Sequence, residues 1–145
     1  MPGEKKTGIW KLYTDGASKG NPGSAGAGWV LTDETNSETY KDGRFLGQTT
    51  NNEAEYQALL LGLQQALSRG IVEIRVYMDS ELLVRQLNGI YKVKNPRLLV
   101  FFRQVQDLLK KFSNYVIIHI PREKNREADH MANEAIKKKW RGTVF

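Results

Sequence analysis

The sequence predicts an α/β protein built on one five-stranded mixed sheet, three antiparallel strands followed by parallel ones, with helices on both faces. Two observations carry the architecture. Three runs rich in aromatic and β-branched residues come first, separated only by turn residues, as in a meander. Helical and strand patterns then alternate to the end, giving the order βββαβααβα. A third observation sets the size: hydrophobic residues make up 40% of 145 positions, enough for one core. A single domain over residues 1–145 is therefore expected, with its core at about 7–139 and a tail at 140–145.

The elements follow in order. "TGIWKLYTD" (7–15) reads as the first strand, stopped by Asp15-Gly16. "AGAGWVLTD" (25–33) and "SETYKDGRFLG" (37–47) are the second and third. The segment "YTDGASKGNPGSAGAGWV" contains five glycines and reads as a turn of the kind that cradles phosphate, yet Asp15 at its head repels phosphate. A long helix spans about 52–69 and ends at Gly70. On it, Glu55 shares a face with Leu59, Gly62, Leu63 and Ala66, while Glu53, Gln57, Gln64 and Ser68 lie opposite. "VEIRVYMD" (72–79) alternates as a half-buried strand, and "SELLVRQLNG" (80–89) is a short helix with Ser80 as cap and Gly89 as stop. A helix at about 97–112, a strand at 115–120 and a helix at about 125–139 complete the chain.

Composition narrows the function classes. No apolar run approaches the roughly 20 residues that span a bilayer, and "MPGEKKTG" lacks the apolar core of a secretory signal. Cysteine is absent, which removes disulfides and thiolate–metal sites and fits a reducing, cytoplasmic setting. The formal charge of +6 favours a polyanionic partner. Its basic residues gather in "YKVKNPR", "LLKKF", "PREKNR" and "IKKKWR", although solvated helix faces account for many of them.

Four acids stand at the ends of elements. Asp15 and Asp79 close strands, Glu55 continues a buried stripe at a helix start, and Asp129 lies in the first turn of the last helix. Each alone fits a structural role: a turn residue, half of a salt bridge, or an acid favoured by the helix dipole. Converging at one sheet edge, the four would repel one another and demand neutralisation. Without cysteine or a histidine pair, that points to hard, oxygen-loving cations such as Mg2+ or Mn2+. Such ions would join Asp15 to phosphate.

"YTDGASKGNPGSAGAG", "TTNNEAEYQALLLGL", "VYMDSELLVRQLNG" and "PREKNREADHMA" resemble the successive motifs of type 1 ribonuclease H, over nearly the whole chain. The resemblance implies the ribonuclease H-like fold and hydrolysis of the RNA strand of RNA–DNA hybrids, leaving 5′-phosphate and 3′-hydroxyl ends. It implies two-metal-ion catalysis with Mg2+ or Mn2+ at Asp15, Glu55, Asp79 and Asp129. Asn21 and Thr50 match positions that hold a DNA-strand phosphate; Asn51 and Asn52 match polar residues at the minor groove, where 2′-hydroxyls identify RNA. Gly16 and Ser18 join them through the backbone.

The chain departs from the better-known pattern in several places. Gln48 stands where arginine is frequent in the phosphate pocket, and Glu81 follows "DS" where glutamine is common. The basic insertion of some members is reduced to "GIYKVKNPRLL", where Lys92, Lys94 and Arg97 substitute in part. Arg122 lies where many members carry a histidine loop; His119 reads as a strand residue, and neither it nor His130 is assigned to catalysis. This compactness is similar to the archaeal-like and compact bacterial branch, some of which also cut double-stranded RNA. A hybrid-binding module without activity would be expected to lose one of the acids, and a transposase-type core leaves "TTNN" unexplained. A reverse-transcriptase domain is disfavoured by the initiating methionine. A free-standing monomer with weak, salt-dependent binding is the expectation.

Overall fold

The computed structural model describes residues 5–140. Its strands are β1 (Lys6–Ser18), β2 (Gly23–Asp33), β3 (Thr39–Thr49), β4 (Ile71–Met78) and β5 (Asn114–His119). The helices are α1 (Asn51–Ser68), α2 (Glu81–Leu87), α3 (Pro96–Leu109) and α4 (Arg126–Lys138), with a 3₁₀ turn at Arg122–Lys124. One sheet has the order β3-β2-β1-β4-β5. β1 is central, antiparallel to β2 and parallel to β4, and β5 continues the parallel half.

Alternation along β2 explains the two layers of helices. Ala27, Trp29 and Leu31 enter the main core with Tyr56, Leu59 and Leu63 of α1. Gly26 and Gly28 face the other way, where α4 lies so close that an added Cβ at Gly28 would come within 2.3 Å of the Ala128 carbonyl oxygen. α4 turns three small, fully buried residues toward the sheet, Ala128, Ala132 and Ala135. Small residues on both sides of this contact let helix and sheet approach backbone to backbone.

Capping matches local chemistry. Thr50 Oγ1 accepts the Glu53 N–H at 3.2 Å to start α1, and Ser80 Oγ accepts the Leu83 N–H at 3.3 Å to start α2. Gly70 and Gly89 adopt φ of +79° and +78° just past the ends of α1 and α2, conformations that L side chains resist.

Three expectations are corrected. β1 does not stop at Asp15-Gly16 but stays paired with β2 through Ser18↔Ala25. The glycines that read as a phosphate-cradling turn are largely strand residues: an added Cβ at Gly16 would sit 2.2 Å from the Ala54 carbonyl carbon. They permit close helix packing. Glu53 does not lie on the exposed side of α1; it is 6% exposed. Its carboxylate accepts from the Thr49 and Thr50 hydroxyls at 3.1 Å each and from Arg97 of α3 at 3.0 Å.

At the other end, the Trp140 N–H donates to the Ala135 carbonyl, and the Trp140 carbonyl accepts from the β3 Phe45 N–H. The rest of the expected tail, residues 141–145, lies outside the described residues.

Candidate metal and nucleic-acid site

The parallel pairing of β1 with β4 ends at Tyr13↔Tyr77. Two residues beyond each, Asp15 and Asp79 emerge side by side where the two strands diverge. Close packing at Gly16 brings the start of α1 against β1, so Glu55 reaches them; the Gly16 N–H donates to Glu55 Oε1 at 2.8 Å. One carboxylate oxygen from each of Asp15, Glu55 and Asp79 lies within 4.8 Å of the others. Asp129 enters from the opposite face, on the first turn of α4. All four acids line one cavity of about 300 Å³, together with Gly16, Ser18, Lys19, Asn51, Arg122 and Asn133 among others.

The electrostatics of the cavity favour a cation. Asp15 and Glu55 are each 5% exposed. No lysine or arginine forms an ion pair with any of the four acids among the described residues. Burial first, then the charge of neighbouring acids, pushes the Asp15 carboxyl up to about 10. Burial likewise raises Glu55, to about 8, against the opposing pull of the Gly16 N–H. Buried oxygen donors without histidine, thiolate or a paired cation fit a hard divalent ion such as Mg2+ or Mn2+. Asp15, Glu55 and Asp79 would hold it, with Asp129 alongside.

The other expected residues divide by position. Gly16, Ser18, Asn51 and Arg122 line the acid cavity. Asn21 is tied to that rim, its Oδ1 accepting the Asn51 N–H at 3.1 Å. Thr50 caps α1 next door, and Asn52 is half-buried on its first turn. Gln48 is exposed on β3. Glu81 is outside the cavity lining and is paired with Arg85 at 2.8 Å, so its charge is neutralised locally. Lys92 and Lys94 are exposed on the α2–α3 connection, and Arg97 is turned to Glu53. His119 ends β5, and His130 lies on α4 outside the cavity.

Three residues were not anticipated. Asn125, 1% exposed, donates to the Thr14 carbonyl at 2.9 Å and to Asp79 Oδ2 at 3.2 Å, tying β1, β4 and the approach to α4 together. Lys19 and Asn133 bond to each other beside Asp129. Only the spacing of Asn133, four residues after Asp129 on a helix, signalled any of this. A larger hollow of about 510 Å³ opens between the start of α4 and strands β1 and β2. Its lining mixes Lys11, Lys124 and Arg126 with Glu123 and Glu127 and includes none of the four acids.

Comparison with known proteins agrees with this layout. Residues 13–135 match the family model described as reverse transcriptase-like. Ribonuclease HI of Halobacterium salinarum is 40% identical over 124 residues, covering 86% of this chain and 62% of that protein. The crystal structure of RNase H1 from the same archaeon superposes with a TM-score of 0.88 at 39% identity, covering 90% of this chain and 99% of that one. LC11-RNase H1, solved in complex with an RNA/DNA hybrid, gives a TM-score of 0.85 at 45% identity, covering 90% and 98%. The chain belongs to the ribonuclease H family. It spans 62% of the Halobacterium protein and 35% of Rv2228c from Mycobacterium tuberculosis, described as a bifunctional protein. Among the described residues no helix is long and apolar enough to cross a membrane.

Proposed function

We propose that this chain is an endoribonuclease that hydrolyses the RNA strand of RNA–DNA hybrids at the four-acid cavity, leaving 5′-phosphate and 3′-hydroxyl ends. The observation that carries the reading is the cluster of buried Asp15 on β1, buried Glu55 on α1 and half-buried Asp79 just after β4, within 4.8 Å and with no cation paired to them among the described residues. The hybrid bound to LC11-RNase H1 supports the substrate class. Asp15, Glu55, Asp79 and Asp129 would hold two ions, Mg2+ or Mn2+. The chemistry such a pair supplies is acidification of a water and stabilisation of charge on the leaving oxygen.

The chain's own groups do the positioning. The Gly16 N–H and the Asn125 amide hold Glu55 and Asp79 in place, so the ligands are oriented before substrate arrives. Arg122 on the cavity wall attracts the scissile phosphodiester. Asn21, Thr50, Asn51 and Asn52 contact the hybrid where β1, β2 and α1 meet, with Gly16 and Ser18 contributing backbone groups. Gln48, Glu81, Lys92, Lys94 and Arg97 lie along the outer track of the duplex. The protein acts as a single-domain monomer in the cytoplasm.

The test is cleavage of an end-labelled RNA–DNA hybrid with magnesium, manganese or chelator, beside duplex RNA, duplex DNA and Asp15→Asn. Metal-dependent cutting of the hybrid's RNA strand, absent in Asp15→Asn, is the expected result. Cutting of duplex RNA as well would add a second substrate. Binding without cleavage under either ion would make the chain a hybrid-binding module instead.

A further inference from the structure

Lys19 leaves the hairpin between β1 and β2 and lines the acid cavity, yet it is ion-paired with none of the four acids. Its Nζ donates instead to Asn133 Oδ1, at 2.8 Å. The Asn133 amide nitrogen donates in turn to the Asp129 main-chain carbonyl at 2.9 Å and to Asp129 Oδ1 at 3.1 Å. A side-chain amide has one accepting and one donating end. An ammonium at the oxygen therefore commits the nitrogen to acceptors, and the acceptors within reach belong to Asp129.

Asp129 is the acid that most needs such a partner. Asp15, Glu55 and Asp79 form the tight cluster, whereas Asp129 comes from the opposite face and is half-buried. Glu55 is held by Gly16 and Asp79 by Asn125. We infer that Lys19 and Asn133 are positioning residues that hold Asp129 for ion binding from across the cavity mouth. The inference rests on the reading of this cavity as a divalent-ion site. It assigns Lys19 an effect opposite in sign to simple electrostatics. A cation beside the site repels a divalent ion, so its removal would tighten binding; loss of a positioning partner loosens it.

The experiment is calorimetric titration of Mg2+ and Mn2+, without nucleic acid, into wild type, Lys19→Met, Lys19→Arg, Asn133→Ala and the Lys19→Met/Asn133→Ala double variant. KM for the hybrid and melting temperature would be measured on the same proteins. Lys19→Met and Asn133→Ala should each weaken ion affinity about tenfold, the double variant should be no weaker than Asn133→Ala, and Lys19→Arg should stay within about twofold of wild type. Tighter binding in Lys19→Met overturns the inference. So does unchanged affinity with a raised KM, which would make Lys19 a phosphate contact, or a lowered melting temperature alone, which would make the pair a structural tie. Wild-type protein that takes up no ion overturns the metal reading and this inference with it. Wild type that binds while every variant binds equally well overturns only the pairing.

Discussion

Two glutamates on the first turns of α1, Glu53 and Glu55, are almost equally buried at 6% and 5% exposure, yet they meet opposite environments. Glu53 accepts from two threonine hydroxyls and from the Arg97 guanidinium. Although burial raises its carboxyl, Arg97 and the hydroxyls outweigh it and hold the group below the usual carboxylate range. Glu55 has one backbone N–H and faces Asp15 and Asp79, and its carboxyl is pushed up. A buried acid whose partners come from the protein strengthens the fold. One whose neighbours are further acids marks a place for a cation from solution.

The largest expected effect separates the pair by activity. Glu55→Gln or Asp15→Asn should lower the rate of hybrid cleavage at least about a thousandfold, since the carboxylates hold the charge that stabilises the transition state. Glu53→Gln should cleave at close to the wild-type rate. Single-turnover cleavage at saturating magnesium makes this comparison, and comparable losses at the two positions would erase it. Next in size is salt. Hybrid binding should weaken at least about tenfold between about 50 and 200 mM salt, because phosphate contacts supply most of the affinity. A slope near zero, measured by anisotropy, would contradict that.

Stability should separate the two glutamates in the opposite sense. Glu53→Ala removes the acceptor for Thr49, Thr50 and Arg97, a loss of about 2 kcal/mol, or roughly 4–8 °C in melting temperature. Asp15→Asn relieves repulsion and should raise the metal-free melting temperature by a few degrees. The smallest effect is the pH slope. Unfolded carboxyls ionise near about pH 4, whereas Asp15 and Glu55 retain protons in the folded state to higher pH. Metal-free stability is therefore lost as pH rises from there toward their raised values, and Glu55→Gln should flatten that loss. Glu53, held low, contributes stability above about pH 4 that disappears as pH falls through its folded value. Chelated protein melted across this range reads both signs.

Much of this was legible in the chain. Alternation in "VEIRVYMD", the α1 stripe and the glycine stops placed the elements within a few residues, because each signal is local. The four acids were legible as unusual positions, Glu55 above all, since it extends a stripe of residues that are all buried. What stayed hidden was decided by partners far along the chain. Glu53 looked exposed because Arg97, which neutralises it, is 44 residues away. Nothing local marked Lys19, because Asn133 is 114 residues away. The glycines around Gly16 and Gly28 read as a turn, although they serve the approach of α1 and α4, which no local pattern reveals. Gly16 is thus part of the answer to the acid at the head of a glycine-rich segment: the backbone thins there so that other acids can join it.

The central claim is that the uncompensated charge around Glu55 is a divalent-ion site and that of Glu53 is not. Titrating Mn2+ into wild type, Glu53→Gln and Glu55→Gln by calorimetry tests it most directly. The account predicts binding in wild type and Glu53→Gln, and its loss in Glu55→Gln. Full binding retained by Glu55→Gln, or none in wild type, would contradict it.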